Sequence, residues 1–464
     1  MTEGAKAPVA ARTRLLLEGP ILPTLLRLSA PNVMNLLAIG GLITFDGLFL
    51  GRLGPSVLAG VSLVFPFVMF VQHVAASGMG GAVSSAVARA LGANDKVRAN
   101  ELAAHAFVLA VAMALVFSAL MLLAGPLFYR WMGGAGEVMQ AALSYSNAVF
   151  AGIVSVFMLN MLANVVRGTG NMGFPAGVLI TAVALHLVLS PVLIFGIGPV
   201  PALGPAGAGL GLVVSFGAGS IVLFVQLRKT DSLVRLAFRG VRYRWELFRE
   251  FFSVGIPGLV NVAINNLTVV CLTGIAGRLG KEAAVGYALG ARLEYIMIPL
   301  AFGFGTAVVA MVGTNWGAKQ YGRAQAIAWT GAATVALACG SIGFLAALFP
   351  GLWLGLFTVD EKVISFGSVY LTTVAPLYAA YGLAMALYFA MQGMGAVLPA
   401  VSANGLRLVV SVGGGLLAVA WLDLGVFGLS LAIACGFTLH GMLTAWLFWR
   451  KRVNAETLLT ERRS

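Results

Sequence analysis

Residues 43–54 read ITFDGLFLGRLG, an apolar run broken by one carboxylate, Asp46, and closed by a GRLG tetrapeptide that returns at 277–280. Sliding the chain over itself by 226 residues also superimposes Pro31 on Pro257 and Asn35 on Asn261. A slide of 225 then brings Gly78 and Gly80 onto Gly303 and Gly305, Arg98 onto Arg323, and GTG (168–170) onto GMG (393–395). Matches that keep their order over such a length point to an internal duplication.

The medium around Asp46 follows from composition. Of 464 residues 60% are hydrophobic and only 10% charged, with a mean hydropathy of +0.96. Soluble domains carry about 25% charged residues, so this is an integral membrane protein. A span needs about 20 apolar residues. Gly, Pro and charge punctuation divides the chain into twelve, from 28–51 to 426–449, with the fourth at 140–165 and the eighth at 283–311. The fold expected is all-α, with twelve transmembrane helices in two six-helix pseudo-symmetric halves. An even number of spans per half makes the repeats parallel, an architecture common in secondary transporters.

Lys and Arg fix the direction, because basic residues stay on the cytoplasmic side. With the N-terminus inside, 22 of the 29 fall in cytoplasmic segments, five in external ones (Arg52, Arg130, Arg278, Lys281, Lys362), and Arg292 and Arg407 within spans. The net charge of +13 then reflects basic loops facing an anionic leaflet, and no nucleic-acid partner is needed. The organisation expected is a cytoplasmic tail (1–27), a first lobe (28–227), a basic linker (228–251), a second lobe (252–449) and a basic tail (450–464). The first 27 residues hold Lys6, Arg12 and Arg14 but no apolar core with a cleavage site, so no signal peptide is expected. The stretch 228–250 reads as an interfacial amphipathic connection. Cys271, Cys339 and Cys435, odd in number and set in apolar runs, read as buried free thiols.

Of the sixteen acids, only Asp46 and Glu294 lie well inside spans. There a carboxylate costs several kcal/mol unless it is protonated, paired or hydrated. Asn35 and Asp46, eleven residues apart, share a helix face with Asn32 nearby, a stripe suited to lining a cavity. The competing reading is a hydrogen-bonded carboxyl that locks helices together. Pro31, lower on the same span, is either a hinge or an ordinary helix-start proline. In span five, HLVLSP (186–191) sets His186 and Ser190 on one face. The imidazole is either a neutral hydrogen-bonding group or one that can hold a proton. In the second half, Asn261, Asn265, Arg292, Glu294 and Arg407 form a candidate polar site. Arg292 and Glu294 are separated by about 200° of helix and cannot pair, which leaves Arg407 as the partner expected for Glu294. The role stays open between coupling or substrate binding and a structural ion pair. His73, His105 and His440 have no ligand-like spacing, so no metal is expected.

The duplicated twelve-span plan, a proline fifteen residues before Asp46, GRLG closing span one, GANDKVRA (92–99) and RGTGN (167–171) together resemble the multidrug and toxic compound extrusion (MATE) family. The resemblance implies a cation-coupled antiporter that exports amphipathic or cationic organic compounds and drugs by alternating access, as a monomer in the cytoplasmic membrane with both termini cytoplasmic. It implies Asp46 as the proton-coupling carboxylate and Pro31 as the point where span one bends. Two departures bear on coupling. Where proton-coupled relatives have Asn-x3-Asp-Pro, His186 and Ser190 stand in the Asn and Asp places. Where sodium-coupled relatives have a glutamate after the span-seven proline, this chain has Asn265. The first departure removes the second acid of the family-type proton site and the second disfavours sodium; the coupling ion expected remains the proton, with no cofactor. Rival readings are a flippase for lipid-linked saccharides, which should present a strongly cationic cavity, and a membrane-embedded enzyme, for which no loop carries a nucleophile or metal constellation.

Overall fold

The computed structural model describes residues 11–196 and 198–461; the expected tail residues 1–10, with Lys6, and 462–464 lie outside them. The described residues are helical with no strand. Eleven helices are long and apolar enough to cross a membrane, and a twelfth span is made by the pair Gly136–Ala151 and Val154–Gly168, bent by 47°. This is span four, expected as one continuous helix. It breaks at Gly152, where a side chain would collide with Val213 of span six, Pro205–Arg228. Large apolar side chains that no neighbour covers, such as Leu123 at 83% exposure, suit a surface solvated by lipid. Cys435 is among the exposed residues, so the expectation of three buried thiols holds only for Cys339, with Cys271 intermediate.

Two compact units result, one built on Ala30–Gly255, the other on Leu17–Ser29 and the chain from Ile256 onward. The duplication is visible in their turns. After span one, Gly54 (φ 118°) matches Gly280 (φ 109°); after span two, Asn94 (58°) matches Lys319 (60°); after span four, Gly170 (80°) matches Gly395 (79°). A left-handed lysine is uncommon, and its recurrence at the place of Asn94 marks a conserved backbone path. Close helix approach in the second unit depends on Gly343 of span nine, Tyr321–Leu348, where any Cβ would overlap the Ala375 carbonyl.

Span one starts earlier than its apolar run suggests. Its helix is Ile21–Gly51 and follows a short helix, Ala11–Glu18, so part of the expected tail is helical. At the other end the helix Gly425–Glu461 continues through most of the basic tail, whose residues favour helix. The linker is non-helical over 229–244 and amphipathic by alternation there, with Val234 and Leu236 buried and Arg235 and Arg239 exposed, while 245–251 open the helix Trp245–Arg278. Phe238 packs on Phe107 and Phe224. The linker thus lies against its own unit, where its polar neighbours also pair. Glu250 accepts from Arg89 (2.7 Å) and Arg98 (2.8 Å), and Glu101 pairs with Arg244.

Candidate functional site

Asp46 sits five residues before the end of the span-one helix. Span five, Gly173–Phe195, brings two donors to it from one face. His186 Nε2 lies 2.8 Å from Oδ1 and 2.9 Å from Oδ2, and the Ser190 hydroxyl donates to Oδ1 at 3.0 Å. His186 is fully buried, and the Asp46 side chain is 14% exposed. The other imidazole nitrogen, Nδ1, has no partner among the described residues. It is packed beside Gly211 of span six, where an added Cβ would meet it at 3.4 Å. This geometry fits the Nε2–H tautomer donating to an ionised carboxylate; a second proton on Nδ1 would find no acceptor.

Asp46 lies in the wall of a largely apolar cavity of about 190 Å³, whose lining includes Ile43, Phe65, Gln72, Tyr145 and Phe216. Gln72 is oriented by Asn160, whose amide nitrogen donates both to Gln72 Oε1 (3.0 Å) and to the Val156 carbonyl (2.9 Å). Because that nitrogen meets two acceptors, Gln72 must offer its oxygen to Asn160, which leaves its own NH2 for the cavity. Gln72, Tyr145 and Asn160 were not singled out from sequence. The only available sign was a polar residue in mid-span, which does not reveal its direction.

Asn32 and Asn35 are buried, at 2% and 4% exposure. Neither lines this cavity, whose span-one wall begins at Ile39. A shared helix face sets azimuth, not depth: eleven residues rise about 16 Å. Pro31 lies ten residues inside its helix, which removes the helix-start reading. Its ring denies the Arg27 carbonyl a donor.

In the second unit Asn404 donates to Asn261 Oδ1 (2.7 Å) and Asn265 Oδ1 (3.1 Å). Arg407 donates from Nε to Asn404 Oδ1 and from Nη2 to Asn265 Oδ1, both at 2.8 Å. Glu294 accepts from the Tyr370 hydroxyl. The expected Arg407–Glu294 pair is therefore not formed: amides claim the guanidinium and a phenol claims the acid. Arg292, expected near mid-depth, is exposed at the break between Lys281–Ala291 and Glu294–Gly317, with its guanidinium 5.4 Å from the Phe357 ring centroid. Among the described residues no group of acids, histidines and cysteines could hold a metal ion.

Comparison with known proteins is consistent across three kinds of similarity. The MatE family model matches residues 31–192 and 257–417, two stretches that begin on the prolines superimposed by the internal repeat. The chain is 26% identical over 451 residues to a protein of Shewanella oneidensis named FAD transporter, covering 96% of this chain and 99% of that one. It is 24% identical to a probable multidrug resistance protein, NorM, of Thermotoga maritima, over 76% of each chain. Likewise it is 24% identical to a probable multidrug resistance protein, YoeA, of Bacillus subtilis, over 86% of this chain and 84% of that one. Solved structures share the fold. A crystal structure of MATE in the bent conformation aligns with a TM-score of 0.88 at 23% identity, covering 97% of this chain and 99% of that one. A transporter of the MOP superfamily from Pyrococcus furiosus, described as having a binding pocket of reverse polarity, aligns at 0.85 and 23%, covering 97% and 100%.

Proposed function

Because the chain belongs to the MatE family of multi-pass membrane transporters, we propose that it is a proton-coupled exporter of amphipathic organic compounds, working by alternating access. The observation that carries this reading is the Asp46 carboxylate, set in the wall of a largely apolar cavity and held by His186 and Ser190. Ionised, Asp46 takes two charge-assisted bonds that tie span one to span five. Protonation turns them into neutral bonds roughly half as strong. Each change is worth about 1 kcal/mol, so one proton shifts the balance between two arrangements of span one by about tenfold or more. Pro31, inside the helix, is where such a change can be taken up as a bend.

The donor set favours the proton over sodium. A metal cation needs several oxygen ligands, whereas both oxygens of Asp46 already face an imidazole N–H within 2.9 Å, a donor that repels a cation. Asn265 in place of an acid in span seven argues the same way. The cargo reading draws on relatives named for multidrug resistance and for FAD, all organic compounds. Basic residues concentrated in alternate loops support cytoplasmic termini, and two complete halves in one chain support a monomeric transporter. The deciding experiment is dye transport by the purified protein in vesicles with proton and sodium gradients imposed separately. The proton gradient alone should drive export; export driven by sodium alone would overturn the coupling.

A further inference from the structure

Arg407 is 5% exposed, yet every hydrogen-bond partner it has is a neutral amide. Asn404 and Asn265 orient the guanidinium, while the Tyr381 and Phe437 rings flank it at 5.9 and 5.6 Å. None of these neutralises it. Glu294 is within electrostatic reach but accepts from Tyr370, not from Arg407. Removing a cation from water without an ionic partner costs several kcal/mol, so the fold holds a costly charge in fixed orientation. Of five guanidinium N–H donors, two are engaged. Asn265 and Tyr381 are only half-buried, so the cluster has an open edge.

We infer that Arg407, Asn265 and Asn404 form a binding site for the anionic group of an organic substrate, a carboxylate or a phosphate, with the Tyr381 and Phe437 rings beside it. The inference rests on the exporter reading and deepens it by naming the charge of a cargo. Bidentate, charge-assisted bonds to such an anion supply the direct ionic contact that Arg407 does not make with Glu294, and an aromatic wall accepts the flat remainder of the molecule.

The test is uptake of carboxyfluorescein and of rhodamine 6G, xanthene dyes of opposite charge, by protein-containing vesicles under a proton gradient. The wild type should move the anionic dye. Arg407→Gln should raise the KM of carboxyfluorescein relative to that of rhodamine 6G about tenfold or more, the effect of one lost charge-assisted contact. Arg407→Lys should retain most of the preference. Asn265→Asp is nearly isosteric, gives the guanidinium a fixed carboxylate at the 2.8 Å contact, and should depress anion uptake as Arg407→Gln does without loss of folded protein. An unchanged KM ratio in both Arg407→Gln and Asn265→Asp overturns the site. Wild-type transport of rhodamine 6G without carboxyfluorescein also overturns it and leaves the exporter reading intact; transport of neither dye overturns both.

Discussion

Beside the Ser190 hydroxyl, His186 reaches Asp46 through Nε2, and this decides which amide can replace the imidazole. Glutamine carries its NH2 to the position of Nε2, whereas asparagine reaches only as far as Nδ1. His186→Gln therefore keeps the bond and removes an imidazole, while His186→Asn withdraws the bond from a site with no room around a fully buried residue. A bond to a charged group is worth about 1.5–3 kcal/mol. The protonated acid keeps about half of that bond, so its loss favours the protonated form by about 1 kcal/mol, roughly fivefold at about 1.4 kcal/mol per tenfold. The assay is dye efflux from vesicles across about pH 5 to 8, at fixed proton gradient and normalised for protein. The Gln variant should reproduce the wild-type profile. The Asn variant should reach half-maximal efflux about half to one pH unit higher. A displaced or narrowed profile in the Gln variant would show that the imidazole shares the proton and would refute the neutral role.

Asp46→Asn keeps the side chain's size and most of its hydrogen bonding but cannot titrate; substrate should still bind to the folded protein, while proton-driven export falls to background, and normal export would end the assignment. The proposed orientation is checked by single cysteines in a background without Cys271, Cys339 and Cys435: those at Ser56, Ala135 and Asp360 should react with an impermeant thiol reagent outside intact cells, and those at Asn94 and Ser232 should not.

The repeat was legible because it is written in residues that turns demand, GRLG and the glycines after span four, and those positions recur with matching backbone angles. Asp46 was legible because a titratable side chain in an apolar span has few places to go, whereas His186 and Ser190 were joined to it only by the resemblance, through the places of the family's Asn-x3-Asp-Pro. Depth was not. Asn32 and Asn35 share the azimuth of Asp46 but not its cavity, because periodicity says nothing about position along the axis. Pairing failed for a different reason. Matching Glu294 to Arg407 by charge overlooked neutral competitors, Tyr370 for the acid and Asn265 and Asn404 for the cation. The irregular points, the break at Gly152 and the π-turns Val74–Gly78 and Val409–Gly413, depend on contacts with other spans and leave no local pattern.

The matched turns have a use in engineering. Asn94 and Lys319 occupy the same left-handed corner at φ 58° and 60°, but asparagine suits it and lysine pays roughly 1–2 kcal/mol to stay there. The duplicated chain is thus its own homologue. Wherever one copy solves a geometric demand with the cheaper residue, it names the stabilising substitution for the other, and Lys319→Asn is the first such correction the molecule suggests for itself.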